Sequence, residues 1–175
     1  GPQRPSKGHP SDAILLKATS NSFHSIEAQS MTSSGINLQL EDYSFDNAVA
    51  IARFAEDLHF DSVLVNDHFM TPRGNNIPDA YLVLSAIAVQ TKRIKIGTAV
   101  TPLPLRHAPN LAKMVATLDN ASQGRFLFGI GAGWYQGEFE GYGGGFPSPG
   151  ERVARTIEAL RLMKRMWTEE VVTFK

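Results

Sequence analysis

One stretch constrains the fold more than any other: Arg93-Ile94-Lys95-Ile96-Gly97-Thr98-Ala99-Val100-Thr101-Pro102-Leu103-Pro104-Leu105-Arg106-His107-Ala108-Pro109. Ile94, Ile96, Ala99 and Val100 form a short apolar run in which Lys95 is the only charge. That is the pattern of a strand buried on both faces, as in a parallel sheet. Gly97 within it marks a bulge or a close approach by another part of the chain. Pro102 and Pro104 cannot donate to a ladder, so the strand gives way to a loop there. Pro109 then opens a helix at a position where no backbone donor is needed. A buried strand, a loop and a helix make one βα unit. In α/β folds the chemistry gathers at the carboxyl ends of such strands, which directs attention to Thr98–His107.

Three further units of this kind follow from the hydrophobic pattern. Ile36–Leu40 reads as a strand, followed by a helix capped by Ser44 with Phe45, Ala48, Ala52 and Ala55 on its apolar stripe. Ser62–Val65 is a second, β-branched strand. The loop 66–78 leads to a helix from Asp79 to Gln90, expected to face inward through Leu82, Ala86 and Val89. The helix after the opening strand runs from Pro109 to about Ala121 on Leu111, Met114, Val115 and Leu118, and Gly124 suits a left-handed stop. Arg125–Ile130 is a fourth strand. A glycine-rich loop, Gly131–Gly145, leads to Ser148-Pro149-Gly150-Glu151, a capping box with proline at the first helical position. The helix that it starts carries Val153, Ile157, Leu160, Met163 and Trp167 on one face.

Strand–helix alternation implies a parallel sheet with right-handed crossovers. Four units between Ile36 and Lys175 match the pace of a (β/α)₈ barrel, which takes about 250 residues. The expected fold is therefore α/β, the first half of a TIM barrel spanning 35–175. A flavodoxin-type open sheet competes, but its fifth strand would have to be the short Val171-Val172-Thr173. Residues 1–34 are polar and begin with Gly1-Pro2, which resembles a tag-removal scar; they are read as a disordered extension or tag remnant.

Composition narrows the function. Seventeen basic and seventeen acidic residues cancel, which argues against nucleic acid or an anionic membrane as partner. The absence of cysteine excludes disulfides and thiolate metal sites. No apolar run approaches the roughly 20 residues of a membrane span, and no secretory signal pattern is visible. A cytoplasmic protein acting on a small molecule is the expectation. His9, His24 and His59 show no metal-ligand spacing, so no metal is expected.

Several motifs occur in order: Asn66-Asp67-His68-Phe69, Arg93 to Val100, Arg106-His107-Ala108-Pro109, Leu111-Ala112-Lys113 through Ala116-Thr117-Leu118-Asp119, Gly124-Arg125-Phe126, and Gly129-Ile130-Gly131-Ala132-Gly133-Trp134. Together they resemble the luciferase-like superfamily of flavin- and deazaflavin-dependent oxidoreductases. The resemblance implies a (β/α)₈ barrel binding reduced FMN or the deazaflavin coenzyme F420 at the strand ends, for monooxygenation or hydride transfer. It places Asp67 and His68 against the flavin ring, with His68 as acid/base or hydrogen-bond donor; proton transfer suits an imidazole titrating near neutral pH. It also implies a cis peptide at Ala99-Val100, with Thr98 beside it, pressing on the ring. Arg106 and His107 face cofactor or substrate, or form a solvated basic pair. Gly131, Ala132 and Gly133 let a planar ring approach, with Trp134 and Tyr135 either flanking it or standing as surface or lid aromatics. A dinucleotide fingerprint is excluded here, because its third glycine would stand at Trp134 and the next helix starts only at Ser148. Glu138 and Glu140 are expected to face solvent.

The expected function is a luciferase-like oxidoreductase acting on an unidentified organic substrate. The rival is a non-catalytic half-barrel that self-associates or pairs with a complementary chain supplying the other half.

Overall fold

A computed structural model describes residues 33–174; the extension expected over 1–34 lies, up to Thr32, outside them. The elements are β1 (Gly35–Leu38), α1 (Phe45–Asp57), β2 (Ser62–Val65), α2 (Ala80–Gln90), β3 (Lys95–Thr98), β4 (Thr101–Pro102), α3 (Ala108–Ala121), β5 (Phe126–Leu127), β6 (Ile130–Gly131), the single turn α4 (Gln136–Glu138) and α5 (Pro149–Thr168). The main sheet is all parallel, in the order β1-β2-β3-β5. Strands adjacent in sequence are adjacent in space. A doubly wound sheet would instead reverse its strand order at a switch point, so the flavodoxin alternative fails and the barrel progression stands.

The register aligns Ile36, Val63, Ile96 and Phe126 in one row and Asn37, Leu64, Gly97 and Leu127 in the next. Side chains alternate faces along a strand, so the first row packs under the helices and the second lines the inner wall of the half-barrel. Gly97 is there because β5 comes close: a Cβ on it would stand 2.8 Å from Leu127 Cβ. The third and fourth strands both break at the same level. β3 stops at Thr98 and the chain resumes as β4, which pairs with β6 rather than with the main sheet.

The helix starts follow their caps. Ser44 accepts from Asn47 N–H at 3.3 Å, Asp79 from Tyr81 and Leu82 N–H, and Ser148 from Glu151 N–H at 3.3 Å. The return arm of the expected capping box is missing, because Glu151 accepts instead from Arg155. Gly124 takes a positive φ of 78° just past α3, as its position requires.

Several helix faces differ from expectation. Leu82 and Val89 are 65% and 64% exposed, while Tyr81, Leu84, Ile87 and Ala88 fill the core side of α2. That helix is apolar in every direction, so spacing alone cannot choose its inner face. Phe45 on α1 and Met114 on α3 also stay exposed, with Val49 buried on α1. Of the stripe on α5 Met163 alone is buried, and Val153, Ile157, Leu160 and Trp167 keep much of their surface open. α5 rests on α3 and on the turn Leu103–Leu105, and nothing among the described residues covers the rest of its stripe. The corrected α2 face makes a prediction. Leu84→Ala should cost about 3 kcal/mol and Leu82→Ala under about 0.5 kcal/mol in urea melts; equal costs would contradict it.

Candidate active site

The loops at the carboxyl ends of the strands enclose a cleft of about 590 Å³, lined by His68, Ala99, Val100, Gly131, Ala132, Gly133 and Trp134 with Glu41, Asn66 and Arg73 at one side. The Ala99–Val100 peptide is cis, as the resemblance implies. Val100 presents nearly half its surface to the cleft, and Gly131 faces it without a side chain. A Cβ on Gly131 would meet Val100 Cγ2 at 2.5 Å. Together they form a smooth apolar wall.

Asp67 immediately follows Asn66 at the end of β2 and is buried. It does not line the cleft. Arg106 reaches it with two prongs, Nε to Oδ2 at 3.2 Å and Nη2 to Oδ1, and also grips Asp79 Oδ2 from Nη1 at 3.2 Å and Nη2 at 3.1 Å. The guanidinium lies 4.4 Å from the Phe69 ring centroid and 5.2 Å from that of Tyr81. Tyr81 in turn shares a 2.8 Å hydroxyl bond with Thr101. Burial pushes the Asp67 carboxyl upward, opposed by the Arg106 charge. Burial works against the Arg106 charge too, but the two carboxylates outweigh it and hold the guanidinium above its usual value. Arg106 is thus a buried clamp binding the loop after β2 to the start of α2, not a group turned to cofactor or substrate. His107 sits exposed at the start of α3 and caps nothing. Thr98 is buried, with Oγ1 donating to Gly129 O at 2.8 Å.

His68 is half-buried beside Trp134, the rings edge-on with centroids 6.0 Å apart. Its Nδ1 lies 3.1 and 3.3 Å from the two carboxylate oxygens of Glu138. Glu138 was expected to face solvent; it is 1% exposed. Its Oε1 also accepts from Phe69 N–H at 2.6 Å, so the carboxylate is fixed from two sides. The one-turn α4 aims it inward, and its partner lies 70 residues earlier, which no local pattern reveals. Glu140, two residues on, does remain exposed. A carboxylate only accepts, so it places the Nδ1 proton and leaves Nε2 without a partner among the described residues, on a ring that lines the cleft. The hydrogen bond to Glu138 raises the imidazole above its ordinary 6.5; burial opposes, and the charges of Glu138, Glu41 and Asp67 add to the rise.

That shift has a measurable consequence. A folded value above the unfolded one means that the pair stabilises fully below about pH 6.5 and is lost as pH climbs through the folded value. Glu138→Gln should flatten the fall in urea midpoint that the wild type shows above pH 6.5. Identical pH profiles would contradict the pairing.

On the far side of the cleft mouth, Glu41 accepts from Asn66 Nδ2 at 2.7 Å and pairs with Arg73 at 3.0 Å. Asn66 Oδ1 accepts from Leu40 N–H at 2.7 Å. The loops after β1 and β2 are therefore tied together. Among the described residues, no group of three acidic, histidine or cysteine side chains is arranged to hold a metal, and none of the helices is long and apolar enough to cross a membrane.

The family model for luciferase-like monooxygenases matches residues 20–175. The chain belongs to the luciferase-like monooxygenase family. Among its relatives, an F420-dependent glucose-6-phosphate dehydrogenase of Amycolatopsis mediterranei is 35% identical over 144 residues, covering 81% of this chain and 43% of that protein. The enzyme of that name from Intrasporangium calvum is 40% identical over 126 residues, covering 69% of this chain and 38% of its own length. Two solved structures share the fold. One is the FMN complex of the oxygenating constituent of 3,6-diketocamphane monooxygenase from Pseudomonas putida (TM-score 0.73, 27% identity, 82% of this chain and 41% of that one). The other is an F420-dependent secondary alcohol dehydrogenase with an F420–acetone adduct (TM-score 0.74, 31% identity, 82% and 44%). The chain therefore spans less than half the length of these relatives, and its four parallel strands are part of a luciferase-like TIM barrel.

Proposed function

We propose that this chain carries the cofactor-facing half of an oxidoreductase that uses reduced FMN or F420 on a small organic substrate. One observation carries this reading: His68, held by Glu138 through Nδ1, lines the same cleft as the smooth wall of Ala99, Val100, Gly131 and Ala132. A flat tricyclic ring fits that wall, and the cleft volume lies in the usual range for cofactor sites, about 300–1,000 Å³. Relatives that bind F420 or FMN support it. When bound, such a ring supplies hydride or, as reduced FMN, activates oxygen. His68 Nε2 gives or takes a proton at the ring or substrate. Glu138 holds the tautomer that leaves Nε2 available, and the Arg106 clamp keeps the loop carrying His68 in place.

Titration with FMN and with F420, followed by the absorbance of the ring, tests this. Binding should be seen and should be abolished by Gly131→Phe, whose ring would fill the cleft. Binding untouched by that change would contradict it. In barrels of this type phosphate is commonly gripped by loops after strands 7 and 8, so the 175-residue chain by itself should hold either cofactor weakly.

We further propose that the chain by itself associates. Among the described residues no strand pairs with the outer edges of β1 and β5, and Leu127, Val153, Ile157 and Trp167 leave apolar surface open. Sedimentation should show dimers or larger species; a compact monomer that binds FMN at micromolar concentration would contradict this.

A further inference from the structure

Arg152, in the first turn of α5, is the buried charge that the site does not explain. It is 9% exposed. Its Nη1 donates to Pro147 O at 2.6 Å, its Nε has no partner, and no carboxylate among the described residues pairs with it. Burying a cation without an acid is costly. What it has instead is two aromatic faces: the guanidinium lies 4.3 Å from the Phe146 centroid and 5.9 Å from that of Phe139. Those rings meet edge to face at 5.4 Å. Cation–π contact offsets part of the desolvation.

Phe139 links this cluster to the cleft. It follows Glu138 directly, opens the wide turn Phe139–Gly143, and is 1% exposed. Its ring fills the space beside Gly133, where a Cβ would stand 2.6 Å from it. The ring is thus wedged between the cleft wall and Arg152, while the residue just before it, Glu138, carries the carboxylate that holds His68. Neither Arg152 nor Phe139 lines the cleft.

We propose that Arg152 is a positioning residue: by clamping Phe139 between itself and Gly133, it holds the Glu138 carboxylate on His68 Nδ1. Its catalytic consequence rests on the reading of His68 as the acid/base group, but the positioning is measurable without turnover. The charged groups around His68 are Glu138 from α4, Glu41 from the turn after β1, Arg73 across the cleft, and its neighbour Asp67. Arg152 is a cation, so losing its charge alone would raise the titration midpoint of His68. Losing its clamp loosens Glu138 and lowers that midpoint. The two effects have opposite signs.

Trp134 reports the titration, because an imidazolium edge-on to an indole quenches its emission more than a neutral imidazole does. His68→Asn identifies the component due to His68. In Arg152→Met the midpoint should fall toward the ordinary histidine value, while the melting temperature holds or rises, since an apolar chain replaces an unpaired buried cation. Phe146→Leu, which removes one wall of the clamp at a partly exposed position, should move the midpoint the same way by less; it carries the test if Arg152→Met does not fold. An unchanged midpoint in the folded variants, or a rise in Arg152→Met, would overturn the proposal. Wild-type turnover in His68→Ala would overturn the acid/base reading instead and leave the positioning standing.

Discussion

Arg106→Met should destabilise the fold by about 3–5 kcal/mol, the usual result of removing one partner from a buried ion pair. Asp67 is almost wholly enclosed and would be left as an uncompensated carboxyl, its two Arg106 bonds gone. Asp79 would lose two bonds, and the Phe69 and Tyr81 rings would lose the cation that they flank. Arg106→Lys should recover little, because an ammonium cannot reproduce the two-pronged grip on Asp67 while reaching Asp79. Urea unfolding of the three proteins measures this. A loss below about 1 kcal/mol, the size of an exposed pair, would show that Arg106 is not a clamp and would return it to the list of cofactor or substrate contacts.

His68→Ala should lower turnover roughly 10²–10⁴-fold in the complete enzyme, the range that acid/base help contributes. The fold should survive, because His68 lies on a loop and its partner Glu138 keeps its bond to Phe69 N–H. Glu138→Gln should fall between the wild type and His68→Ala, since the amide still reaches Nδ1 but no longer supports the imidazolium. Steady-state rates across pH measure both. Wild-type turnover in purified His68→Ala would remove His68 from the chemistry.

The fold was largely legible because its signals are local. β-branched runs, caps at Ser44 and Ser148, and Gly124 after α3 fall where the elements start and stop. The inner face of α2 was not legible, because a helix apolar all round carries no periodic signal and tertiary packing decides. The stripe on α5 misleads for a different reason: it reads as a core face, but only Met163 on it is buried, and Trp167, though it donates to Ala112 O and meets the Phe128 ring, stays partly exposed. In the site, His68, Ala99, Val100, Gly131, Ala132, Gly133 and Trp134, all within the ordered motifs, line one cleft, whereas Asp67, Thr98, Arg106 and His107 lie outside it. Glu138, Asp79 and Arg152 were missed. Glu138 and Asp79 act through partners distant in sequence, His68 and Arg106, Arg152 acts through ring faces in the loop before it, and an acid within a glycine-rich loop looks solvated until the loop's path is known. The place of Arg106 after β3 suggests a cofactor or substrate contact, whereas the structure seats it between Asp67 and Asp79.

The most direct test is a crystal structure of the protein with reduced FMN or F420 bound. The ring should occupy the cleft among His68, Val100 and Ala132, with the Nε2 side of His68 facing it. A ring seated instead in the larger cavity of about 770 Å³ between α3 and α5, against Phe126, Phe128 and Trp167, would contradict the assignment of His68, Glu138 and the cleft they serve.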